Sequence, residues 1–300
     1  MITKRGLSDK YVEQLYAIFE SKSWDTCEIG EYSVFDRFCE RLAELENDGQ
    51  RDLILNLTWD FLWVNSSKYE QYLLIAFQKL FKDKSWKPEK GKNICICPLL
   101  PERDFGKVKS SIFMLYLCQS ILLRTYEEFQ DEQVRICEPP EVLKEQKYRE
   151  HIDSLILIDD FMGSGETALE SLAYLDFLRQ EGKKIYILVL VAQRQGMENV
   201  QKEGIPVFAN IVREKGISDK FDKEEAEQKL GEMKKISKRL KVPKEMYLGF
   251  LESESLVAMN KTPNNTFPVY WYEKNGHSHA PFPRKENVKT IGIEQRKVDA

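Results

Sequence analysis

The sequence predicts an α/β fold: a parallel sheet from about residue 90 onward, preceded by an N-terminal helical domain. Solid apolar runs at 93–100, 155–158 and 185–192 alternate with segments of helical periodicity. That alternation is expected of a sheet covered on both faces. The first ninety residues show helical spacing instead, and the charged stretch 82–92, with Pro88 and Gly91, has the composition of a linker. The expected domains are therefore residues 1–88, helical, and 89–300, α/β, with 217–246 as a charged helical insertion or hood.

Each element has a local signal. Ser8 precedes apolar Val12, Leu15, Tyr16 and Phe19, an N-cap followed by one helical face. Val34, Phe35, Phe38, Leu42 and Leu45 repeat the pattern, and residues 53–64 and 69–81 add two dense apolar stretches. Trp59, Phe61 and Trp63 are read as core. In the second domain the spacing predicts strands at 93–100, 134–137, 154–158, 185–192 and 206–212. It predicts helices at 109–129, 167–180 and 196–203. Residues 217–246 hold nine Lys/Arg and seven Asp/Glu, which suits a solvated helical hairpin better than a core element. Residues 247–259 and 267–272 read as strands around a Thr262–Thr266 turn.

Composition excludes several classes. The chain has 300 residues, 42% hydrophobic, enough for a real core. Its 45 Lys/Arg against 49 Asp/Glu give a net charge of −4, so nucleic acid is not indicated as a general partner. No apolar run approaches the roughly 20 residues of a membrane span, and the N-terminus carries no secretory signal, so a cytoplasmic location is expected. Cys27, Cys39, Cys95, Cys97, Cys118 and Cys137 form no C-x-x-C pair and read as buried thiols. His277 and His279 lack a third ligand nearby, and no resident metal is expected.

The chemistry concentrates in residues 155–167, L-I-L-I-D-D-F-M-G-S-G-E-T. A buried strand ends in Asp159 and Asp160, a glycine loop follows, and a helix begins. Ligands of open α/β sheets bind past the carboxyl ends of the strands. The loop Met162, Gly163, Ser164, Gly165, Glu166 and Thr167 offers backbone N–H groups at a helix N-terminus, suited to a phosphate. Gly163 and Gly165 allow close approach, and Ser164 and Thr167 add hydroxyl donors. Bare carboxylates beside a phosphate make sense if the ligand presents hydroxyl donors there. Two acids and a phosphate loop together fit a ribose 5-phosphate.

This pattern resembles the phosphoribosyl-diphosphate signature of type I phosphoribosyltransferases: four apolar residues, two acids, spacers, then Ser/Thr-Gly-x-Thr. The segments 247–250, 260–271 and 281–284 are similar to phosphoribosyltransferase-like proteins of prokaryotic conflict and antiphage defence systems. The resemblance implies a phosphoribosyltransferase-like sheet with a small hood, and Asp159 and Asp160 on the ribose hydroxyls. It places 162–167 on the 5-phosphate and implies a diphosphate loop after the first strand of the domain. Arg103, Lys107 and Lys109 would serve there, with Mg²⁺ arriving on the phosphoribosyl diphosphate. The reaction implied is displacement at the anomeric carbon, with an unknown acceptor.

Gly163 stands where nucleobase-salvage members often carry an acid or a threonine, so purine salvage is not expected. Two functions stay open: a transferase, and a non-catalytic nucleotide sensor signalling to protein partners through the helical domain. A methyltransferase using S-adenosylmethionine is a minor alternative, since D-F-M-G-S-G-E-T resembles its loop. It lacks the proline, the acid at the next strand end (Gln193 instead) and the catalytic D/N-P-P-aromatic string. The bland alternative is that the two aspartates only end a strand while Ser164 and Thr167 cap a helix.

Overall fold

The computed structural model describes residues 6–26, 33–86, 93–119, 133–273 and 279–284. Cys27, most of the expected linker, the part of the expected 109–129 helix beyond residue 119, His277 and the tail after Arg284 lie outside them.

In chain order the helices are α1 (Asp9–Lys22), α2 (Val34–Ala43), α3 (Asp48–Trp59), α4 (Tyr69–Lys82) and α5 (Ser110–Leu117). They continue as α6 (Glu166–Tyr174), α7 (Asp176–Gln180), α8 (Arg194–Gln201) and α9 (Lys223–Arg239), with a single turn at Gln146–Arg149. The strands are β1 (Leu62–Trp63), β2 (Asn93–Pro98), β3 (Gln133–Ile136), β4 (Ser154–Met162), β5 (Lys184–Gln193), β6 (Val207–Arg213) and β7 (Val257–Ala258). The described residues fall into two compact units, one made by those up to Asn65 together with those from Glu214 on, the other by those from Ser66 to Arg213. Compaction thus divides the chain after Asn65 and Arg213, whereas the sequence pattern changes at residues 88 and 89.

In the first unit, α1 to α3 start from polar caps. Ser33 Oγ accepts from Asp36 N at 3.2 Å and Asn47 Oδ1 from Gln50 N at 3.0 Å, each supplying an orphan helix donor with a partner. Ser8 occupies the N-cap of α1 without a side-chain cap bond. The apolar faces meet in an aromatic core: Phe61 stacks on Phe282 at 5.1 Å and Phe38 meets Tyr270 edge-on at 6.1 Å. Phe61 is core as expected, Trp63 half-buried, and Trp59 exposed. The charged 217–246 stretch forms one main helix, α9, rather than a hairpin. Its Met233 and Ile236 are fully buried in this core, while its charges lie on the other positions.

The expected strands at 247–259 and 267–272 do not form; only β7 does, paired in parallel with β1. The residues are buried, but side chains supply the backbone partners that a ladder would have supplied. Thr262 Oγ1 donates to Phe282 O at 2.8 Å, Thr266 Oγ1 to Val257 O, and Ser253 Oγ to Asn265 O at 3.0 Å. The Thr262–Thr266 segment is thus a turn whose polar groups face inward.

The second unit holds a five-stranded parallel sheet in the order β3-β2-β4-β5-β6. Leu155 to Ile158 of β4 and Ile187 to Ala192 of β5 are fully buried, which is why they read as unbroken apolar runs. Each such leucine, isoleucine or valine side chain contributes about 1.5–3 kcal/mol of transfer free energy. Helices α4 and α5 pack on β5–β6 and β2–β4 respectively. Ala168, Leu172, Leu178 and Val200, from α6 to α8, join Leu155, Leu157, Ile187 and Val189 in one cluster. The expected 167–180 helix is interrupted at Leu175, giving α6 and α7. Cys39, Cys95, Cys97, Cys118 and Cys137 are buried free thiols. Among the described residues no helix is long and apolar enough to cross a membrane.

Candidate functional site

The sequence reading ends β4 at Ile158. The strand instead runs on to Met162, because the ten-residue β5 offers it partners as far as Ala192. Both aspartates therefore lie within the sheet at its carboxyl end. Asp160 is only 5% exposed, and Asp159 is partly exposed.

Two adjacent carboxylates in such a place need partners. Ser110, the first residue of α5, donates through Oγ to Asp159 Oδ1 at 2.7 Å, and Asp160 N donates to the same oxygen at 2.8 Å. Tyr69, the first residue of α4, donates its hydroxyl to Asp160 Oδ2 at 2.8 Å. Burial raises the pKa of both carboxyls, and the neighbouring Asp160 charge raises that of Asp159 further. The hydroxyls of Ser110 and Tyr69 pull the other way, because they favour the charged form.

The glycine loop follows at once. Gly165 sits at the N-cap of α6 with φ +85°, a left-handed conformation natural to glycine. The first helical bond runs from Leu169 N to Gly165 O at 2.9 Å, so the preceding N–H groups have no intrahelical acceptor. Ser164 is nearly buried and Thr167 exposed. Met162 is different: its side chain is buried in the sheet core, which leaves a ligand only its backbone.

The loop is clasped by α8. A Cβ on Gly196 would lie 2.1 Å from Gly163 O, and one on Gly165 would lie 2.8 Å from Gly196 O. Asn199 Nδ2 donates to Ser164 O at 3.1 Å. An isolated glycine in a helical stretch is less favourable than alanine by about 1 kcal/mol, so Gly196 marks a position worth inspecting, but only the structure shows what it approaches. Nothing local marks Tyr69, Ser110 or Asn199.

The candidate cations lie in the loop after β2. Arg103 pairs with Glu170 of α6, and the Phe105 ring meets Tyr174 of α6 at 5.0 Å, tying the loop to that helix. Lys107 and Lys109 each reach Asp104, at 2.8 Å. Burial would raise the Asp104 carboxyl, but the two ammonium groups outweigh it and hold its pKa below the ordinary value. The second unit thus contains an acidic strand end, a glycine loop with backbone N–H groups at a helix start, and a lysine pair that shares one carboxylate.

A family model described as PRTase-CE matches residues 42–284. Among solved structures, orotate phosphoribosyltransferase from Aeropyrum pernix matches at 15% identity and a TM-score of 0.28, over 49% of this chain and 70% of that one. No curated protein matches the chain.

Proposed function

The chain belongs to the PRTase-CE family and is a phosphoribosyltransferase-like protein; from that premise we propose that it binds a ribose 5-phosphate ligand, phosphoribosyl diphosphate or a nucleotide. The observation that carries this reading is the Asp159–Asp160 pair at the carboxyl end of β4, followed directly by the Gly163–Thr167 loop. The carboxylates accept hydrogen bonds from the ribosyl hydroxyls. The loop N–H groups and the hydroxyls of Ser164 and Thr167 hold the 5-phosphate, where the helix dipole also favours negative charge.

For a transferase, Lys107, Lys109 and Arg103 neutralise the departing diphosphate while an acceptor attacks the anomeric carbon. Positioning and charge neutralisation then account for most of the acceleration. Magnesium beside phosphates keeps several waters and few protein contacts. On this reading it is carried on the oxygens of the diphosphate. The resemblance of 247–250, 260–271 and 281–284 to conflict-system proteins supports placing the molecule in a prokaryotic defence system.

The test is calorimetry with ribose 5-phosphate, and with phosphoribosyl diphosphate and Mg²⁺, on the wild type and on Asp159→Asn/Asp160→Asn. Binding is expected in the wild type, weakened at least tenfold in the double variant, since hydrogen bonds to charged groups contribute about 1.5–3 kcal/mol each. Unchanged affinity in the variant would remove the ribosyl assignment.

A second reading, the non-catalytic sensor, is favoured by one observation: Arg103, Lys107 and Lys109 each already hold a carboxylate of the chain itself. Release of pyrophosphate in the presence of candidate acceptors separates the two. The same pairing predicts that Asp104→Asn, which frees both lysines, tightens inorganic pyrophosphate by about threefold to tenfold at low salt. Titration at two ionic strengths checks it, and weaker binding in the variant would show that Asp104 assists the anion.

A further inference from the structure

The two hydroxyls that hold the aspartates come from elsewhere in the chain, and one is unusual in its burial. Tyr69 is 1% exposed, and its hydroxyl meets Asp160 Oδ2 at 2.8 Å, where Asp160 is itself 5% exposed. Its ring lies 5.7 Å from that of Phe113 on α5, the helix whose first residue, Ser110, holds Asp159. A buried tyrosine hydroxyl needs only some acceptor, and a neutral amide or backbone carbonyl would satisfy it. Here it is given to a carboxylate next to a second carboxylate, a costly arrangement in a core. The Ser110 hydroxyl favours the ionised form of both aspartates and the Tyr69 hydroxyl that of Asp160, against the burial that opposes them.

We propose that Tyr69 is a positioning residue for ligand binding: its hydroxyl fixes the Asp160 carboxylate and so sets the geometry and charge of the pair that accepts the ribosyl hydroxyls. This rests on the reading of Asp159 and Asp160 as ribosyl acceptors. Among the described residues, the groups facing the pair are few. Tyr69 comes from α4 and Ser110 from α5. Of the flanking strands, β2 ends at Pro98, opposite Ile158, and β5 presents from Val189 to Ala192 only apolar side chains, none of them titratable. Glu166 is the first acid of α6. Removing the Tyr69 hydroxyl withdraws a donor to the charged form, so the pair ionises at higher pH. Affinity for a ligand that donates hydroxyls then sets in at higher pH as well.

The experiment measures ribose 5-phosphate affinity by calorimetry from pH 5.5 to 9 for the wild type, Tyr69→Phe, Asp160→Asn and Tyr69→Phe/Asp160→Asn. Tyr69→Phe is expected to fold, to bind about tenfold more weakly at pH 7, and to move the acid limb of its affinity upward in pH. In the Asp160→Asn background the same change is expected to add little, because the two residues act through one bond. Wild-type binding with an unchanged affinity and pH limb in Tyr69→Phe overturns the proposal and leaves the ribosyl reading standing. A Tyr69→Phe chain that fails to fold assigns the hydroxyl a purely structural part and overturns it too. Absence of ribose 5-phosphate binding in the wild type removes the ribosyl reading itself.

Discussion

Gly196→Ala is expected to lower ribose 5-phosphate affinity by about a hundredfold and to destabilise the fold. Gly196 is the third residue of α8. A methyl group there would stand 2.1 Å from Gly163 O, 3.0 Å from Gly163 C and 3.1 Å from Gly165 N, all backbone atoms. No rotamer change relieves such contacts, so either the loop or the helix must move. Gly165 approaches Gly196 O from the other side, and Asn199 holds Ser164 O. Overpacking of this kind costs about 1–3 kcal/mol, and a loop held out of its binding geometry by that amount binds up to about a hundredfold more weakly, since each 1.4 kcal/mol is tenfold. Thermal unfolding and calorimetry on the same samples check both effects. A variant that is destabilised but binds normally would show that the clasp supports the fold and not the phosphate loop.

The clasp illustrates which parts of the site could be read in advance. The motif at 155–167 was legible because its signals are local. Four consecutive apolar residues mark a strand buried on both faces, and glycines mark the loop. The aspartates were legible as residues, but not in their surroundings. A strand's end is set by the partner beside it, and the length of β5 carried β4 through Asp159 and Asp160 to Met162. Tyr69 and Ser110 lie 91 and 49 residues from their carboxylates, and no periodicity reports a contact at that separation.

The C-terminal stretch failed for a different reason. Apolar runs at 247–259 and 267–272 reported burial correctly, as the exposures of Leu256, Val257, Phe267 and Val269 show. Burial alone does not choose between a strand and an irregular segment. That choice went to Ser253, Thr262, Asn265 and Thr266, whose side chains bond to backbone groups. The same inward-facing bonds argue against Thr262, Asn265 and Thr266 as ligand contacts, because their side chains are already used. The mixed charges of 217–246 likewise concealed Met233 and Ile236, two apolar residues one helical turn apart that anchor α9 in the core.

Gly249→Ala follows from that inward-facing network, and it is the largest stability loss expected in the first unit. Gly249 adopts φ +80° and ψ 165°, a region populated essentially by glycine alone and costing other residues about 1–3 kcal/mol. A Cβ there would lie 2.0 Å from Asn265 O and 2.7 Å from its carbon. That oxygen accepts from Ser255 N at 3.1 Å and from Ser253 Oγ at 3.0 Å. Next to it, Phe250 N donates to Asn264 O at 2.9 Å. Driving Asn265 away would therefore leave buried donors unpaired, at about 1–3 kcal/mol each, on top of the backbone strain. A total of about 4 kcal/mol or more is expected, lowering Tm by about 10 °C for a domain of this size. Gly231→Ala is the matched control. It lies inside α9 with nothing within 4 Å of its added Cβ, and is expected to stabilise by about 0.5–1 kcal/mol. Opposite signs for the two glycines would establish that position 249 is held by a close approach. Equal Tm values for Gly249→Ala and the wild type would show that the turn yields without resistance. The apolar residues would then have to be stabilised without the Asn265 bonds.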